Sequence, residues 1–174
     1  MTSKSHHLSQ VNISRMITPL SNPIMADFVA ELDSINKLAD NAPGFVWRLQ
    51  TEAGNATSIN AYNDELILFN LSVWESIDDL KQFVYRSQHG KVMRSRKKWF
   101  QKYEGVNMAL WWLPVGDLPT VDEAKKRLQY LNDFGESDYA FSFNNQYFNQ
   151  KYDQYSGETR CGPRVGRSAL GRAK

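Results

Sequence analysis

Leu8–Arg15 alternates apolar and polar residues and predicts a first strand, with Leu8, Gln10, Asn12 and Ser14 on one side and Ser9, Val11, Ile13 and Arg15 on the other. The period then lengthens: Ile24, Phe28, Leu32, Ile35 and Leu38 recur every three to four residues, predicting an amphipathic helix over 23–40. Asn22 is placed to cap it, and Pro23 takes the first helical position, where a missing N–H costs nothing. Gly44–Thr51 returns to a period of two, which puts Phe45, Trp47 and Leu49 on one face and Val46, Arg48 and Gln50 on the other. A polar stretch over 52–65 reads as a long connection to the strongest strand, Leu66–Trp74 (LILFNLSVW). Ser76 caps a helix over 77–86, with Asp78 and Asp79 in the first turn, where they complement the helix dipole. Gln88-His89-Gly90 breaks the chain before a basic helix over 91–103, whose apolar side is Val92, Met93, Trp99 and Phe100. Asn107–Val115 is a fourth strand, Thr120-Val-Asp-Glu is a capping box opening a helix over 121–133, and Tyr139–Phe143 reads as a short fifth strand.

This order of elements is an α+β domain, an antiparallel sheet covered by helices on one face. It occupies 1–143 of the 174 residues, and 144–174, rich in Asn, Gln, Gly and Arg with no sustained period, reads as a disordered polar and basic tail. Twenty-two Phe, Tyr and Trp residues are enough for a core, so wholesale disorder is excluded. No apolar run approaches the roughly 20 residues that span a bilayer, and the N-terminus lacks the apolar stretch of a signal peptide. A cytoplasmic, non-membrane protein is the expectation. The formal charge is +2, but the tail holds six Lys/Arg against two acids, leaving fifteen basic and seventeen acidic residues in 1–143. The basic character therefore belongs to the tail, and the cations over 86–102 read as the solvated face of a helix rather than a nucleic-acid patch. A lone cysteine, Cys161, excludes internal disulfides and cysteine-based zinc clusters, and no glycine-rich nucleotide loop, HExxH or nucleophile elbow is present.

The candidate chemistry is sparse. His89 sits at a helix break after Tyr85-Arg86-Ser87-Gln88, where an imidazole can face a pocket mouth as an acid/base, or else serve as a cap. Asn70, Ser72 and Trp74 share one face of their strand, and Asn12 shares one with Gln10 and Ser14. Should the first and third strands be neighbours, two carboxamides beside an indole suit a polar aromatic ligand or an oxyanion; otherwise Asn12 and Asn70 line an interface and Trp74 is core. Arg48 is placed either to pair with an anionic substrate or to meet an acid across a dimer interface. Trp111 and Trp112, being adjacent, must face opposite sides of the sheet, which implies burial on both faces and hence oligomerisation.

The strings PGFVWRLQ (43–50), NLSVWES (70–76), VYRSQH (84–89), MALWWLP (108–114) and PTVDEAKKRL (119–128) resemble an uncharacterised bacterial family, a domain of unknown function within the dimeric α/β-barrel superfamily of antibiotic-biosynthesis monooxygenases. The resemblance covers roughly 8–143. It implies a ferredoxin-like sheet that pairs with a second copy to close a barrel, with a pocket between each sheet and its helices. It also implies an enzyme without a tightly bound cofactor that oxygenates, isomerises or cyclises a small apolar or aromatic molecule. In that reading His89 is the acid/base, Asn12 and Asn70 hold a developing oxyanion, Trp74 forms a wall, and Arg48, Tyr85 and Trp112 complete the binding site. Two alternatives stay open, a haem protein and a non-catalytic dimeric ligand-binding or stress protein. In the haem-degrading relatives a pocket tryptophan and a ligand histidine fall at places occupied here by Phe83 and Met93, with His89 one helical turn earlier.

Overall fold

The computed structural model describes residues 5–86 and 95–144. Four strands, β1 (His6–Arg15), β2 (Phe45–Arg48), β3 (Ile67–Trp74) and β4 (Met108–Pro114), form one sheet in the order β2-β3-β1-β4, every pairing antiparallel. Helix α1 (Ala26–Asp40) joins β1 to β2, α2 (Ile77–Arg86) follows β3, and α3 (Val121–Phe134) follows β4. This is the expected ferredoxin-like α+β arrangement.

The caps form where the sequence places them. Asn22 accepts from the backbone N–H of Ile24 at 3.0 Å, and Thr120 accepts from that of Glu123 at 3.1 Å. Pro23–Met25 is a 3-10 turn, however, so the α-helix begins only at Ala26, and Ile24, expected in the inward stripe, is 60% exposed.

Register sorts the side chains into two faces. Leu8 lies opposite Trp74 and Trp112, Gln10 opposite Ser72 and Leu110, and Asn12 opposite Asn70 and Met108. These even-numbered positions share one face, whereas Val11, Phe69, Leu71, Ala109 and Trp111 lie on the other. Trp111 and Trp112 thus do face opposite sides. A bulge between Phe45 and Trp47 breaks the alternation expected for β2. Phe45 joins Trp74 on the even face, Trp47 packs on the odd-face core, and Arg48 returns to the even face opposite Ser72.

Two further expectations are corrected. The helix expected over 91–103 does not reach its end: Arg96–Lys98 is a 3-10 turn, and Phe100 is extended and bridges Met16. Backbone bonds from Ile17 to Trp99 (2.9 Å) and from Gln101 to Arg15 (2.8 Å) hold it there, because the chain continues the edge of β1 once Trp99 is buried beside Phe28. The fifth strand is a single bridge, Phe141 with Leu110, bonded both ways at 2.8 and 2.9 Å. Neighbouring backbone groups are spent locally: the carbonyl of Tyr139 accepts from Arg127, and the N–H of Ser142 donates to Glu136.

Both faces are covered by the chain's own elements. The even face carries two apolar clusters, one of Leu8, Trp74 and Leu110 under Ile77 and Leu80 of α2, the other of Met16 and Leu68 under Phe28 of α1. The odd face is covered by α3, whose Ala124, Leu128 and Leu131 close on Val11, Phe69 and Trp111. The connection over 49–66 extends this cover, since Lys125 donates to the carbonyl of Ala61 at 2.6 Å and lies 5.0 Å from the Tyr62 ring. Val11, Phe69, Val73, Ala109 and Trp111 are 0% exposed within one chain, so the centre of this face is buried by the chain's own elements, while Trp47, Leu49 and Ile67 at its margin are half-buried.

Candidate functional site on the even face of the sheet

Between the two even-face clusters runs a polar strip. Its floor is Gln10 and Asn12 of β1, Asn70 and Ser72 of β3, and Met108 of β4, adjacent by register. Asn70 is exposed and Asn12 half-buried although both lie within paired strands, so the strip is open to solvent where its ends are closed. Ile35 of α1 follows Phe28 and Leu32 along the helix's inward side, yet it is only half-buried.

The strip is hydrogen-bonded in series. The indole Nε1–H of Trp74 donates to Ser72 Oγ at 3.0 Å, Ser72 Oγ donates to Gln10 Oε1 at 2.9 Å, and Gln10 Nε2 donates to Asn12 Oδ1 at 3.0 Å. Asn70 makes no hydrogen bond among the described residues through its carboxamide, which stands opposite Asn12. None of these floor side chains titrates. The carboxamides of Asn12 and Asn70 can hold a ligand atom by hydrogen bonding and stabilise charge on it, but the floor has no group suited to moving a proton.

Of the expected site residues, Asn12, Asn70 and Trp74 are brought together. Trp74 serves from beneath: it is 1% exposed, edge-on to Phe45 at 5.3 Å and tilted against Phe83 at 5.1 Å. Trp112 lies on the same face, across Leu8 from Trp74, and packs 6.3 Å from Phe141 in the end cluster. Arg48 is committed elsewhere. Its guanidinium pairs with Asp40 at the end of α1 at 2.7 and 3.1 Å and donates to the carbonyl of Gly54 at 2.8 Å, so the acid it meets belongs to its own chain. Tyr85 stands apart, 65% exposed on the outer side of α2, where it lines a groove of about 470 Å³ with Asp78, Lys81 and Gln82 and lies 6.1 Å from Phe143. His89 lies outside the described residues. Gln10, which links the two strands, had one signal in the sequence, the face it shares with Asn12; the cross-strand register that gives it Ser72 had none.

No group of three or more His, Cys, Asp or Glu able to hold a metal occurs among the described residues. The haem alternative turns on His89 and Met93, which lie outside the described residues. Phe83 is stacked on Trp74, and the described histidines, His6 and His7, open β1 opposite Pro114 and Leu113, beyond the row of Trp74. No helix among the described residues is long and apolar enough to cross a membrane.

No curated protein matches the chain significantly. Several solved structures are similar to it at low identity. PA3566 from Pseudomonas aeruginosa is 12% identical with a TM-score of 0.42, over 64% of this chain and 95% of that one. A variant of SnoaB, a cofactor-independent oxygenase from Streptomyces nogalater, is 10% identical with a TM-score of 0.41, again over 64% and 95%. A family model described as a domain of unknown function (DUF3291) matches residues 7–157, so that it takes in every strand and helix described above except the first residue of β1 and runs on past residue 143. The chain belongs to that family.

Proposed function

We propose that the protein binds a small, largely apolar or aromatic molecule on the even face of the sheet, gripping it through an oxygen atom, and acts on it without a tightly bound cofactor. The observation that carries this reading is the solvent-open carboxamide pair Asn12–Asn70, set between two closed apolar clusters. Apolar ends with a few convergent polar groups between them are the ordinary make-up of a small-molecule site. Chemistry at such a site, whether oxygenation, isomerisation or cyclisation, needs a proton acceptor that the floor lacks, and in this reading His89 supplies it. Every group of the strip comes from one copy, so the site needs no partner subunit. The expected assembly is a homodimer in which the sheets of two copies pair.

A non-catalytic ligand-binding role is the second reading. It is favoured by the tight packing of Phe45 and Phe83 on Trp74, which fills one end of the face with side chains. Native mass spectrometry of freshly purified protein tests both. An enzyme or binding protein should carry a reproducible extra mass that is lost in Asn12→Leu and in Asn70→Leu. On incubation in air the wild type should convert the released molecule, while His89→Ala binds it and leaves it unchanged. Binding without conversion in either form would select the second reading. A ligand retained in full by both asparagine variants would refute the site.

A further inference from the structure

The hydrogen bonds along the strip have a direction. An indole N–H can only donate, so Ser72 Oγ must accept from Trp74. The single proton of Ser72 is then free to be given away, and it meets the carbonyl oxygen of Gln10. Turning the Gln10 carboxamide over would aim a second donor at Ser72 and strip the hydroxyl proton of its acceptor. Gln10 therefore shows its NH2 to Asn12, which uses its oxygen to accept, and Asn12 is left with an NH2 to offer. Gln10 is 9% exposed and Trp74 1%, so water does not readily scramble this order.

We propose that Trp74, Ser72 and Gln10 are positioning residues that set the polarity of the site, so that Asn12 presents a donor and the site selects ligands carrying an oxygen acceptor over those carrying an N–H donor. The inference rests on the site proposed above. Neither Ser72 nor Gln10 needs to touch the ligand; they act through Asn12. Asn70, without such a chain, turns its carboxamide to suit what is bound.

Three bicyclic probes of nearly equal size separate the possibilities: 1-indanone, which only accepts, indole, whose N–H donates, and indene, which does neither. Titrations of the full-length protein are followed by amide chemical shifts of residues 10, 12, 70 and 108, with the indole N–H signals as a second readout. The wild type should bind indanone roughly tenfold more tightly than indole, with indene between. In Ser72→Ala the chain is cut, and in Trp74→Phe its donor-only end is lost while most of the packing remains. Both variants should bring the indanone-to-indole ratio down at least threefold, whatever change they make to the affinity for indene. A purely structural role for these residues would weaken all three probes together and leave the ratio unchanged, which overturns the inference and leaves the site standing. A wild-type ratio near one also overturns it. Failure of all three probes to shift those amides removes the site itself, and the inference with it.

Discussion

Truncation of Leu128 measures how firmly α3 closes the odd face. The side chain is 4% exposed and belongs to the cluster of Val11, Phe69, Leu71, Ala109 and Trp111. Leu128→Ala deletes three carbons from this cluster. The transfer free energy alone amounts to about 2 kcal/mol at ~0.8 kcal/mol per methylene, and the cavity left behind adds to it. Ala124 and Ala140 are too short to fill the gap, and the bulky ring of Trp111 is held within the cluster, so the expected total is about 3 kcal/mol. For a chain of this size that lowers Tm by roughly 10 °C. Urea denaturation should show the midpoint falling at unchanged slope, while Lys126→Ala, on the exposed side of the helix, stays within about 0.5 kcal/mol of wild type. The loss should be the same at protein concentrations a hundredfold apart, because the covering helix belongs to the same chain. A loss below about 1 kcal/mol would refute the closed odd face, and a loss that varies with concentration would show a second copy covering it instead.

Arg48→Met should cost about 1 kcal/mol of stability, modest because Asp40 is 42% exposed, and should leave ligand affinity unchanged; a selective loss of affinity would return Arg48 to the binding site. Gly44 has φ of +71°, and a Cβ there would land on the Asp79 side chain that holds Ser76 at the start of α2. Gly44→Ala should therefore destabilise by roughly 2 kcal/mol, from left-handed strain and a disturbed cap, and Asp79→Ala in the same chain should recover part of it; additive losses would rule out the clash. The Asp64 carboxylate is held below its ordinary range by the backbone N–H of Leu66 and by Arg15, which tie the end of the 49–66 connection to β1. Because its folded-state value is depressed, the stability it contributes is complete above the unfolded value near 3.9 and drains away as pH falls through the folded value. Asp64→Asn should flatten that acid limb in urea midpoints taken across roughly pH 5 to 2, and an unchanged limb would contradict the assignment.

Much of the architecture was legible in local pattern. Periods of two and of three to four residues, with the caps at Asn22 and Thr120, place four strands and three helices within a few residues of where they lie. Adjacency alone put Trp111 and Trp112 on opposite faces, because a pleated strand has a period of two whatever surrounds it. The face assignment of β2 failed for a related reason: one bulge between Phe45 and Trp47 resets the period, and nothing local marks it. The basic segment around Trp99 kept its buried aromatic but not the helical end expected there, since pairing of Phe100 with Met16 outweighed a weak helical pattern.

The site divides along the same line. Asn12, Asn70, Ser72 and Trp74 could be assigned to faces from spacing within their own strands. Which way Arg48 reaches, that Tyr85 turns outward, and that Gln10 couples two strands depend on partners 6 to 62 positions away in the chain. Sequence by itself determined the elements and the alternation of their side chains, because backbone geometry and short-range capping are local physics. Tertiary structure decided the cross-strand register, the burial of the odd face by α3 and the direction of the hydrogen-bond chain, because each is a contact between segments brought together only by folding.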